Sequence, residues 1–170
     1  MTHPAHRHQS IPAKRRRFNS SVSALDALVA LDGGTLIWFD PADWTKLAKV
    51  YTNINPVTEL DDRIGYMEEQ GGSTYAAIQS DPADRMWAQG RYIWGYTGDT
   101  LTTTLPDMGI DATVAYLDQD GPQFLTGQTI SGATSIPLVD KLGPLIYIDR
   151  ALSLGETEAV RQFLQSRGPL

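Results

Sequence analysis

RYIWGYTGDTLTTTLPDMGIDATVAYLDQDGPQFLTGQTI, residues 91–130, holds four short runs rich in Thr, Val, Ile and aromatics. The runs, Arg91 to Tyr96, Thr100 to Leu105, Thr113 to Asp118 and Phe124 to Ile130, are parted by Gly, Pro or Asp. Branched and aromatic side chains suit a pleated, half-buried surface, and closely spaced turn residues suit hairpins. This spacing predicts an all-β fold, an antiparallel β-sandwich rather than a parallel α/β sheet. Trp38 and Trp94 sit inside apolar runs and are expected in the core, whereas Trp44 and Trp87 lie beside polar or loop sequence and are expected to face outward.

Upstream, Thr35 to Asp40 (TLIWFD) has the length and content of a strand buried on both faces, and Pro41 ends it. Asp43 to Val50 reads as a helical turn or a loop. Between 53 and 88 the pattern is weak, with turns at Gly71-Gly72 and Asp81-Pro82 and short strands at Ile64 to Met67 and Thr74 to Ile78. Downstream, Leu145 to Ile148 is a further strand. Ser153 and Glu156 form an S-x-x-E capping box, and Ala159, Val160, Phe163 and Leu164 give one apolar face before Gly168-Pro169. A helix over 153–166 follows. A second, short helix is expected at Val22 to Leu31, stopped by Asp32-Gly33-Gly34.

The chain has 170 residues, 41% of them hydrophobic, which suffices for one ordinary domain. It lacks cysteine, so disulfides, thiolate metal sites and a cysteine nucleophile are excluded. There is no apolar run of membrane-spanning length and no signal-peptide pattern, so no membrane association is expected. The net charge of −6 conceals a split. Arg7, Lys14, Arg15, Arg16 and Arg17 precede the first acid, Asp26, and the remainder carries 9 basic and 20 acidic residues. The expected organisation is a basic extended arm, 1–22, on an acidic sandwich domain, 23–170. Such an arm is an electrostatic tether for acidic protein surfaces or nucleic acid; the acidic body argues against nucleic acid as the domain's partner. The competing reading of the arm is a solvated tail.

Chemistry for catalysis is sparse. His3, His6 and His8 all lie in the arm, which excludes a Ser-His-Asp triad within the domain. The carboxylate pairs Asp61-Asp62, Glu68-Glu69 and Asp118 with Asp120 suit turns better than glycoside hydrolysis or calcium. No catalytic residues, no metal site and no cofactor are therefore expected. The aromatics Trp38, Trp44, Trp87, Trp94, Tyr92 and Tyr96 offer sugar-stacking surface where exposed, and Trp44 and Trp87 are the leading glycan-binding candidates.

LIWFDPADWTKLAKVYTNINPVTELDDRIGYMEE and LGPLIYIDRALSLGETEAVRQFLQ stand at opposite ends of the domain. Through Trp38, Phe39, Asp40, Pro41, Asp43, Pro56, Val57, Thr58 and Gly65, the first resembles the opening of concanavalin A-like, LamG-like jelly-roll modules of bacteriophage virion proteins. Through Asp149, Arg150, Ala151, Leu152, Ser153, Glu156 and Leu164, the second resembles their closing strand and helix. The resemblance covers about residues 35–165 and is loose in the centre, where Met67 to Gly72 replaces the usual DKSGN loop. It implies a non-enzymatic virion structural protein, made in the bacterial cytoplasm and displayed on capsid or tail as a decoration protein, head fibre or minor tail component. Arg7, Ile11, Lys14, Arg15, Arg16, Arg17 and Phe18 would bind capsid or tail proteins of the same particle. A homo-oligomer is compatible with this reading. The alternative is a lectin-like module for a host surface glycan, and a third reading makes the arm a nucleic-acid binder.

Overall fold

The computed structural model describes residues 34–168, apart from 72, 97 and 138. The arm, 1–22, and the helix expected at Val22 to Leu31 lie outside them. The order is β1 (Leu36–Phe39), β2 (Leu47–Ala48), β3 (Arg63–Ile64), β4 (Tyr66–Glu68), β5 (Ala76–Ile78), β6 (Met86–Ala88) and β7 (Ile93–Trp94). There follow β8 (Thr102–Leu105), β9 (Ala112–Asp118), β10 (Gly121–Gln128), β11 (Gly132–Ser135), β12 (Lys141–Leu142), β13 (Leu145–Ile148) and the helix α1 (Leu154–Ser166). The described residues form an all-β body of three antiparallel sheets with one C-terminal helix. The sheets run β1-β13-β9-β10, β11-β8-β5-β4-β2 and β12-β7-β6-β3.

The first sheet is buried on both faces along its central strands, because β13 is apolar throughout and β9 is so apart from Thr113 and Asp118. Ile37 and Phe39 of β1, Ala112 and Val114 of β9, and Leu145 and Tyr147 of β13 face a main core that also draws on both other sheets. The alternate residues, Trp38, Ala115, Leu117, Ile146 and Ile148, meet Val160, Phe163 and Leu164 of α1. Trp38 and Phe163 touch edge to face, centroids 5.4 Å apart. The period of two in the strands and the helical stripe of α1 thus close a second core. Trp38 is a core residue, only 4% exposed.

The helix begins where the capping box places it. Ser153 N–H donates to Glu156 Oε2 at 2.8 Å, and Glu156 N–H donates to Ser153 Oγ at 3.4 Å. Arg150 donates to the other carboxylate oxygen at 2.7 Å, and this bond, with those from Ser153, holds the Glu156 carboxyl down at about 2. Gly168 follows the helix at φ 83°, the left-handed conformation that glycine takes without strain. Arg167 then reaches Asp40 at 3.3 Å, so the helix end is tied to the end of β1. Burial of the Asp40 carboxyl pushes its pKa up despite that guanidinium.

Two segments pass from one sheet to another. β3 continues into β4 through Gly65, whose Cα lies so close to the 49–51 backbone that a Cβ would stand 2.9 Å from Lys49 O and Tyr51 N. β12 continues into β13 through Gly143 and Pro144, which stay bonded to Leu117 of β9 at 2.8 and 3.0 Å. Asp43 to Val50, expected as a turn or loop, is a short 3-10 turn, Trp44–Lys46, that leads into β2. The Thr-rich run is an interior strand, since β8 lies between β11 and β5. Thr103 points into the body and is buried, while Thr102 and Thr104 point out.

Candidate functional site: an aromatic row on the third sheet

β3, β6, β7 and β12 are short, and each places one residue in a continuous cross-strand row. Arg63 pairs with Trp87, Trp87 with Trp94, and Trp94 with Lys141. The neighbouring positions Ile64, Met86, Ala88, Ile93 and Leu142 are buried in the main core, so strict alternation turns the row to the outer face. All four row residues are half-buried. Along β7 the same alternation brings out Tyr92, Trp94 and Tyr96, with Ile93 and Gly95 turned inward and buried. Trp94 and Tyr96 rest on each other at 4.5 Å between centroids, and Tyr96 remains 61% exposed.

The row is held rigidly at one end. Arg63 lies over the Trp87 ring, 3.9 Å from its centroid, and its Nη1 donates to the carbonyls of Pro82, Ala83 and Arg85 at 3.4, 3.0 and 2.9 Å. Arg85, just before β6, is buried and donates to Lys49 O, Gln79 O and Ser80 O, which pins the 79–85 loop behind the row. At the other end Lys141 Nζ stands 5.3 Å over the Tyr92 ring. Tyr96 is fixed from below, because its N–H donates to the buried Asp99 carboxylate at 2.8 Å.

The charges follow a pattern. Lys46, Lys49, Arg150, Arg161 and Arg167 each pair with a carboxylate. Among the described residues Arg63, Arg85, Arg91 and Lys141 have no carboxylate partner; Arg85 is buried and spent on backbone carbonyls, and the other three belong to the third sheet or to its β6–β7 hairpin. In a body where acids outnumber bases twofold, two cations without a carboxylate, Arg63 and Lys141, thus stand in one cross-strand row.

The expected site residues fall as follows. Trp87 is in the row. Trp44 is not: it is half-buried, packs against the main core and donates its Nε1 to Gly90 O at 3.1 Å. Trp94, expected in the core, is half-exposed on the outer face and lies at the row's centre. Ile93, the apolar neighbour in the run that suggested burial, is on the opposite side of the sheet. The signal that finds it is the alternation Tyr92, Trp94, Tyr96. Arg7, Ile11, Lys14, Arg15, Arg16, Arg17 and Phe18 lie outside the described residues.

The acidic pairs are engaged locally. Glu69 is buried and accepts from Ser73 N–H and Oγ at 2.9 and 2.7 Å, closing the loop that replaces the DKSGN segment. Glu68 pairs with Lys46 at 2.6 Å, Asp62 with Lys49 at 2.8 Å, and Asp118 accepts from Asp120 N–H at 2.8 Å. Among the described residues no three His, Cys, Asp or Glu stand together as a metal cage, and no helix is long and apolar enough to cross a membrane. Away from the row, a concavity of about 320 Å³ lies on the outer face of the five-stranded sheet and is lined by Thr74, Tyr75, Ala76, Ile78, Thr102 and Thr104. It carries hydroxyls and apolar surface but no charge.

No protein-family model matches the chain, and no curated protein or solved structure matches it.

Proposed function

We propose that the chain is a non-enzymatic virion structural protein of a tailed phage or phage-like particle. It is displayed on capsid or tail as a decoration protein, head fibre or minor tail component. Its body is a concanavalin A-like jelly-roll sandwich, and its basic arm anchors it to a capsid or tail protein.

One observation carries this reading: the opening of the first phage-like segment, Leu36 to Asp40, and the second segment from Leu145 on, more than a hundred residues apart, form one continuous piece. β1 pairs in register with β13, Leu36 opposite Ile148 and Phe39 opposite Leu145. Asp149 accepts from Thr35 N–H at 2.6 Å, Asp40 meets Arg167, and Ser153 with Glu156 caps the helix that covers Trp38. Residues quoted for the likeness therefore act together in joining the first strand, the last strand and the closing helix. A likeness of composition alone would scatter them.

The arm fits attachment by its chemistry. Three successive arginines make bidentate, permanently charged contacts with carboxylates, and Ile11 and Phe18 add apolar anchors. Ordering such a segment costs roughly 1–2 kcal/mol per residue, so many contacts and repeated, symmetric copies favour it.

The test uses particles assembled without the protein. The full chain should fill fixed sites saturably when imaged by electron microscopy, and the full-length triple variant Arg15→Glu, Arg16→Glu, Arg17→Glu should leave them empty. Equal occupancy removes the arm as anchor, and no occupancy by either removes the virion reading. A second reading, a lectin-like module for a host glycan, is favoured by the aromatic row, and both functions fit in one protein.

A further inference from the structure

We propose that the outer face of the third sheet binds an acidic polysaccharide, with sugar rings stacked on Trp94 and Tyr96 and uronate-type carboxylates held by Arg63 and Lys141. This deepens the lectin-like reading and is independent of how the arm attaches the protein.

Three observations select this ligand. The first is the aromatic surface itself. Trp94 and Tyr96 pack on each other and stay open to solvent on a sheet whose other side fills the main core. Flat, rigid aromatic faces present large contact area with little entropy left to lose on binding. The second is the placement of charge. Arg63 and Lys141 close the two ends of the row, and neither is neutralised by a carboxylate among the described residues. Arg63 spends Nη1 on three carbonyls, which fixes the guanidinium while Nε and Nη2 make no bond to the described residues. A preorganised guanidinium suits a planar carboxylate. The third is spacing. Three strand intervals separate the backbone positions of Arg63 and Lys141, about 14 Å, and Trp94 stands between Lys141 and the Trp87 ring that the Arg63 guanidinium covers.

That spacing decides between polyanions. A nucleic-acid strand carries a phosphate about every 3.4 Å and needs a groove lined continuously by cations. Here two cations stand far apart on a strongly acidic body, which repels a dense polyanion. A polysaccharide with one carboxylate in each repeat of several rings matches both the sparse charge and the apolar stretch between.

The experiment measures retention of the full-length protein in affinity electrophoresis. The gels contain uronate polymers whose carboxylates stand apart (hyaluronate, with one in each disaccharide, and gellan, with one in each tetrasaccharide), the same polymers after carboxyl reduction, or single-stranded oligonucleotide. At least one uronate polymer should retard the protein and its carboxyl-reduced form should not. Trp94→Ala and Lys141→Ala should each weaken retention about tenfold or more, the scale of losing one central contact. Tyr96→Ala, at the most exposed ring, is a second aromatic variant that leaves the fold intact, checked by thermal unfolding.

A variant with Lys14, Arg15, Arg16 and Arg17 changed to Gln should keep the retention. The proposal is overturned if no uronate polymer retards the protein, or if the arm variant abolishes retention while the sheet variants keep it. Preferential retention by the oligonucleotide overturns it as well. Particle occupancy of Trp94→Ala and Lys141→Ala should equal that of the unaltered chain. Loss of glycan binding with normal occupancy, or the reverse, therefore separates this proposal from the virion reading.

Discussion

Gly65 shows how much one residue of the opening segment controls. Its φ is not in the left-handed region, so conformational freedom is not the reason for glycine there. The reason is approach: a Cβ would stand 2.9 Å from Lys49 O, Val50 C and Tyr51 N, all of them backbone atoms that cannot swing aside. Gly65 also donates to Ala48 O and accepts from Gln79 N–H, both at 3.0 Å, so it is bonded to the chain on either side. Gly65→Ala must separate these segments or bend the passage from β3 to β4. The expected cost is about 1–3 kcal/mol, as for other overpacked sites. Urea unfolding monitored by tryptophan fluorescence checks it, and a midpoint equal to that of the unaltered chain would contradict the close-approach account. Since β3 carries Arg63, the same substitution should also disturb the Arg63–Trp87 stack.

At the level of elements, α1 illustrates a local signal that survives folding intact. Ser153, Glu156, Val160, Phe163 and Leu164 act as their spacing predicts, because a cap and an apolar stripe are both set within a few residues. The Glu156 carboxyl is held at about 2, against an ordinary glutamate value of 4.5, by Arg150 first and by Ser153 second. A carboxyl whose pKa is depressed on folding contributes stability that is fully present above 4.5. That contribution fades as pH falls toward 2, where the folded-state group protonates too. Glu156→Gln should therefore lower stability at pH 7, with the difference from the unaltered chain shrinking steadily between pH 4.5 and 2. Urea midpoints measured across that range test it. A difference that stays constant with pH would mean the side chain acts by packing alone.

The third sheet was far less legible than the helix. β3, β6, β7 and β12 have two or three residues each, too short for a period of two to be read. Trp94 is the instructive case: within RYIWGY it looks like one more core aromatic, and only pairing with Trp87 and Lys141 shows which side of the sheet it occupies. By contrast β13 was legible to its exact ends, because LIYI is apolar throughout and is bounded by Pro144 and Asp149. The row joins residues from 63 to 141, and no local pattern announces such a partnership.

At the scale of the molecule, the order of the chain has a consequence for how the body holds together. β13, the last strand, lies inside its sheet between β1, the first described strand, and β9. The sheet therefore cannot close until residues 145–148 are present. The main core draws apolar residues from all three sheets, so loss of one sheet uncovers the others. Pairings across the whole length make ordering slow and cooperative, since loop-closure entropy is spent before the contacts that offset it form. The unaltered chain should unfold in urea as a single transition, with far-ultraviolet circular dichroism and tryptophan fluorescence coinciding. The fluorescence reports from Trp38 under α1, from Trp44 against the main core and from Trp87 and Trp94 on the third sheet, so an early fluorescence change would show part of the body melting before the rest. A chain ending at Pro144 should lack near-ultraviolet signal altogether. One ending at Leu152 keeps every strand but exposes Trp38, Leu117, Ile146 and Ile148, and it should associate or bind a hydrophobic dye. If the chain ending at Pro144 kept near-ultraviolet signal, the body would be two independent units and β13 would not be what closes it.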